Sequence, residues 1–133
     1  MLTIKKQTEI LSILTAIRGT SYSDVQSPDK LLEYAFQLTQ WIAFTAEAIA
    51  EAKEQLHLAR KQAYINLVGS LGAQEKKIGA MLMKDYCNDM CSKENAYLTL
   101  CERTNAAATH TNDLVRSALS YLKTEMATQN YSN

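Results

Sequence analysis

Apolar positions in this chain recur every three or four residues over most of its length, the signature of helices with one buried stripe. The first stretch predicts a helix over about residues 3–18, with Ile10, Leu11, Ile13, Leu14 and Ile17 on a wide apolar face. Gly19 is a suitable C-terminal stop, and the polar run from Thr20 to Ser27 reads as a loop. Ser27-Pro28-Asp29 then marks a helix start: a hydroxyl to cap open N–H groups, a proline for the first helical position, and a carboxylate for the positive end of the dipole.

The second helix, about residues 28–68, carries a seam whose spacing alternates four and three: Leu31, Ala35, Leu38, Ile42, Thr45, Ile49, Ala52, Leu56, Ala59 and Ala63. Leu32, Tyr34, Phe36, Trp41 and Phe44 lie off that seam, so its first half needs more than one packing partner, and the first helix is the nearest. Gly69-Ser70-Leu71-Gly72 reads as a hairpin turn. A third helix, about residues 74–126, repeats the alternation in its second half: Cys87, Cys91, Glu94, Leu98, Cys101, Asn105, Ala108, Asn112, Val115, Leu119, Leu122 and Met126. Asn88, Asp89 and Ser92 are weak helix formers that allow a kink, and Gln129 to Asn133 reads as a frayed tail. The expected fold is all-α: one domain over residues 1–133, a long antiparallel, coiled-coil-like helical hairpin plus a short N-terminal helix. A hairpin alone leaves apolar surface wet, so the chain is expected to assemble as a homodimer or higher homo-oligomer into a multi-helix bundle. The alternative is a kink near Ser92 that folds it into a monomeric bundle.

Composition agrees with helix. Proline occurs once and glycine four times, too few for the turns of a sheet protein. The formal net charge is zero, which argues against a dedicated nucleic-acid binder. The neutral total hides a gradient, because residues 57–84 hold Arg60, Lys61, Lys76, Lys77 and Lys84 against Glu75 alone. That basic tip reads either as a solvated end or as an anion-touching surface, with few aromatics interleaved. The most apolar stretch, Leu31 to Ala52, contains Glu33, Glu47 and Glu51, so no membrane span is expected. No signal-peptide pattern opens the chain, and three cysteines, an odd number, suit a reducing cytoplasm.

Candidate chemistry is sparse. Cys87 and Cys91, one turn apart, offer two metal ligands if a symmetry mate supplies two more, but small core residues in a seam explain them as well; no metal or cofactor is expected. His57 and His110 fall in no nucleophile motif, and Glu47, Glu51 and Glu54 form a row typical of a solvated face, so an enzyme is not expected. The most informative feature is a polar stripe, Asn105, Thr109, Asn112, Arg116 and Ser120, spaced 4, 3, 4 and 4 beside the apolar seam. Polar groups at a helix interface cost stability unless paired. Either these bond across the bundle and set its register, or they line a pocket for a phosphate-bearing or other polar small ligand. Arg103 and His110 point to another face.

In this region the chain resembles a group of small helical accessory proteins of tailed bacteriophages of Bacteroides-like hosts, through Glu102-Arg103, Asn105, His110, Asp113, Arg116-Ser117, Ser120-Tyr121, Lys123 and Glu125. The aromatic-rich helix start from Tyr34 to Phe44 is also similar. The resemblance implies a single-domain, non-enzymatic protein in the cytoplasm of an infected bacterium. Two functions follow as expectations. One is a counter-defence protein that sequesters a nucleotide-derived immune signal or blocks a host defence protein. In that reading Trp41 or Tyr121 would stack on a base. The other is an accessory of phage DNA replication or recombination, and a virion component ranks third.

Overall fold

A computed structural model describes residues 4–20, 27–71 and 79–132, and these form four helices. They are α1 (Ile4–Gly19), α2 (Pro28–Leu71), α3 (Ala80–Met90) and α4 (Ser92–Ser132). No helix among the described residues is long and apolar enough to cross a membrane.

α2 begins as the sequence implies: Ser27 Oγ accepts the Lys30 N–H at 3.2 Å, and Asp29 sits in the first turn. It then runs 44 residues, roughly 66 Å at 1.5 Å per residue. The turn expected at Gly69-Ser70-Leu71-Gly72 is not there; α2 continues through Gly69 to Leu71, and Gly72 lies outside the described residues. A glycine costs a helix only about 1 kcal/mol. Leu67, buried one turn earlier, and Ser70, whose hydroxyl donates back to the Leu67 carbonyl at 2.9 Å, carry the helix past it.

The expected third helix is two. Its start at Gln74 lies outside the described residues, as do residues 21–26 of the first loop, Thr3 and the tip lysines Lys76 and Lys77. α3 and α4 meet at Cys91, where φ −108° and ψ 25° interrupt the helix and the Cys91 N–H bonds three residues back, to Asn88 O at 3.1 Å. α4 resumes at once, with Asn95 N–H on Cys91 O at 3.0 Å. The break does not fold the chain back on itself. Cys91 is buried, and together with Cys87 it packs on Leu56 and Ala63, so α3 extends the same antiparallel path along α2. At the far end helix persists through Gln129 to Ser132 where fraying was expected, since no residue there breaks it.

The two heptad seams face one another within one chain. Leu31, Leu38, Ala52, Leu56 and Ala63 on α2, with Cys87, Cys91, Cys101, Ala108 and Val115 opposite, are all buried. The third side is closed by α1, which lies antiparallel to α2 and parallel to α4. Ile10 joins Ala48, Ala52, Tyr97 and Cys101, and Ile17 joins Leu31, Leu38, Ala108 and Val115. Its N-terminal end is pinned by the Lys6–Glu51 ion pair, with the Lys6 ammonium 5.8 Å from the Phe44 ring centre. Past Glu51 no other described helix covers the hairpin, so the described residues form a three-helix body with a two-helix arm. Of the off-seam apolar residues, α1 takes Tyr34, Trp41 and Phe44, whereas Leu32 and Phe36 stay exposed.

Candidate functional site

The polar stripe on α4 divides by depth. Asn105 turns inward, and its Nδ2 donates to Thr45 Oγ1 at 2.9 Å and to the Ile42 carbonyl at 3.2 Å. Thr45, fully buried, passes its own proton to the Trp41 carbonyl at 2.8 Å. This pairing locks one longitudinal register of α4 on α2. Thr109 returns its hydroxyl to Asn105 O at 2.9 Å and is otherwise exposed. Arg116 and Ser120 face solvent, and Tyr121 is 68% exposed.

Asn112 is the exception. It is buried, and its Oδ1 has no hydrogen-bond partner among the described residues. An unpaired buried acceptor costs about 1–3 kcal/mol. Asn112→Leu, similar in volume, is therefore expected to raise the urea midpoint, by about 1–2 kcal/mol in unfolding free energy. A drop would show that the amide makes bonds the apolar side chain cannot replace.

Trp41 belongs to a different surface. α1 settles chiefly on α4 and leaves an open groove against α2 of about 630 Å³, within the range of small-ligand sites. Its floor is Ile13, Trp41 and Phe44; its rims are Thr8, Glu9 and Ser12 on α1 and Gln37 and Gln40 on α2. The structure thus separates what the sequence reading combined. Trp41 lies in the groove, while Asn105, Thr109, Asn112, Arg116, Ser120 and Tyr121 do not line it. Among the described residues Glu9 is the single charged one in the lining, and no lysine or arginine contributes to it. Chemically the groove offers two aromatic rings, two primary amides that both donate and accept, and hydroxyls. The rim residues were missed because each, alone on its helix, has the polar character of any exposed position.

Cys87 and Cys91 share one buried cluster with Leu56 and Ala63, and Cys101 packs separately with Ile10 and Tyr97. Burial pushes the Cys91 thiol up, with Glu94 adding to the effect, and burial pushes Cys101 up as well. Both shifts disfavour the thiolate that nucleophilic attack or metal ligation needs.

Comparison with known proteins finds no match: no family model, no curated protein and no solved structure aligns with this chain.

Proposed function

We propose that this chain is a non-catalytic capture protein that holds a flat heteroaromatic group, of the nucleobase kind, in the groove between α1 and α2. The observation that carries the reading is the composition of that groove: Trp41 and Phe44 below, Gln37, Gln40 and Ser12 around them. Stacking surfaces serve the face of a base, and amides that donate and accept serve its edge. Without a lysine or arginine among the described lining residues, recognition falls on the base and leaves any phosphate in solvent. Sequestering a nucleotide-derived host signal, as a phage counter-defence protein would, fits this division and the resemblance noted above.

The single tryptophan makes the test direct. Titration with nucleosides, nucleotides and cyclic dinucleotides is expected to give a saturable change in Trp41 emission and a rise in melting temperature for at least one of them. Base stacking on an aromatic side chain contributes about 1–3 kcal/mol, so Trp41→Leu should weaken that ligand by roughly tenfold or more, read by thermal shift. If no compound in the panel alters either signal, the reading fails. A salt-dependent gel shift with single-stranded DNA, with Trp41 emission unchanged, would instead favour the DNA-accessory function.

A further inference from the structure

We infer that the two-helix arm is a self-association surface, on which the basic flank of one copy of this chain receives the acidic flank of another. The inference stands apart from the groove and does not depend on what fills it. The arm consists of α2 beyond Glu51 together with α3, and its seam is already closed by Leu56, Ala63, Cys87 and Cys91. What remains outside is unusually apolar. Met81 is 80% exposed, Leu82 64%, Met90 62% and Ile65 50%. Apolar side chains concentrated on a short, thin element mark an interaction surface better than the same number scattered singly.

Charge identifies the occupant. At 100° per residue, Arg60 and Tyr64 lie to one side of the α2 seam, and Lys84 and Asn88 lie to the matching side of the α3 seam. These four, with Met83 and Cys87, line a hollow of about 350 Å³ on one flank of the arm. Asp85 and Asp89, one residue on from Lys84 and Asn88, fall about 100° further round α3, and they edge a second hollow of about 300 Å³ lined by Leu67, Leu82 and Tyr86. Each hollow therefore sets like charges beside an apolar, aromatic-bearing floor, and the two hollows have opposite sign. Asp85 and Asp89, four residues apart on one helix, repel each other, and an opposing cation relieves that. Among the described residues the one ion pair is Lys6–Glu51, so none of these four charges is matched by another described residue. A second copy supplies both the complementary charge and a second apolar, aromatic-bearing surface. Because the two patches differ, the contact is heterologous, and each copy can both give and receive.

Charge exchange tests it. In sedimentation at low salt, the wild-type chain is expected to associate beyond the monomer, and less so as salt rises. Arg60→Glu with Lys84→Glu, and separately Asp85→Lys with Asp89→Lys, should each give a monomer. An equimolar mixture of the two variants should associate again, because each supplies the charge the other lacks. All four positions are exposed, and far-UV circular dichroism will confirm that both variants keep the wild-type helix content. The proposal is overturned by a wild-type chain that stays monomeric at high micromolar concentration. It is equally overturned by variants that associate as the wild type does, or by a mixture that stays monomeric. Loss of DNA binding in the Arg60/Lys84 variant of a monomeric protein would assign the basic flank to nucleic acid instead.

Discussion

Replacing Ile10 with Ala is expected to lower the unfolding free energy by about 2–5 kcal/mol, measured by urea titration of the helical signal. Ile10 is fully buried, and its neighbours are Ala48, Ala52, Tyr97 and Cys101. Three of those are small side chains fixed on helices that already touch through their seams. None can swing into the space that a lost sec-butyl group leaves. A cavity that cannot collapse keeps the full penalty, which places this substitution in the upper part of the range. Leu11→Ala is the control: Leu11 is 54% exposed, and its loss should change stability by no more than about 0.5 kcal/mol.

The same substitution bears on function, because α1 forms one wall of the groove. Thr8, Glu9, Ser12 and Ile13 reach the ligand space only while Ile10 holds the helix down. Loosening α1 should therefore shift Trp41 emission to the red and weaken any groove ligand, before the α2–α4 hairpin melts. The ion pair of Lys6 with Glu51 cannot substitute for this anchor, since a pair at the surface adds at most about 1 kcal/mol. An Ile10→Ala protein as stable as the wild type would mean that α1 is not docked in solution and that the groove has no second wall.

Much of the fold is legible from residue order for a definite reason. The four-three alternation from Leu31 to Ala63 admits one stripe, and the matching alternation from Cys87 onward admits one partner for it. Ser27-Pro28-Asp29 is a local signal and acts locally. Gly69 misleads because its backbone freedom matters only where the chain needs it, and Leu67, buried near the end of α2, favours another turn of helix. The break falls at Cys91, inside the stretch of weak helix formers, yet its consequence was not readable. Whether a chain bends back or runs on depends on what Cys87 and Cys91 find opposite, and they find Leu56 and Ala63.

The site was less legible. Asn105 stands out as a polar residue in an apolar seam, but its partner Thr45 lies 60 residues away and looks like an ordinary seam position. The groove is harder still. Ser12 and Glu9 come from one helix and Gln37 and Gln40 from another, and all four are exposed. Only the tilt of α1 toward α4 brings them around Trp41. That tilt follows from the sizes of Ile10 and Ile17 and of the small residues that receive them, a property of packing that periodicity does not carry.

Asn105→Asp is expected to destabilise the protein by about 2–4 kcal/mol at pH 7, and the loss should disappear in acid. The native amide donates to Thr45 Oγ1 and to the Ile42 carbonyl. A carboxylate has no proton to give. It would face a carbonyl oxygen and a hydroxyl whose hydrogen already points to the Trp41 carbonyl, leaving lone pairs against lone pairs. Asn105 is half-buried, so water relieves part of this and the lower end of the range applies. The sign with pH follows from which form the fold tolerates. The protonated acid can donate as the amide does, so folding raises the group above its unfolded value of about 3.9. Below that value both states are protonated and the penalty is absent; it grows as pH rises through the interval up to the folded value, and is complete above it. Subtracting the wild-type curve isolates this behaviour from the other carboxylates. Asn105→Ala, which removes the donor without adding charge, should cost about 1 kcal/mol at every pH. A pH-independent difference for the Asp variant would mean that the side chain rotates out to solvent. Asn105 would then not be the residue that holds α4 in register, and its amide would be free to meet a ligand.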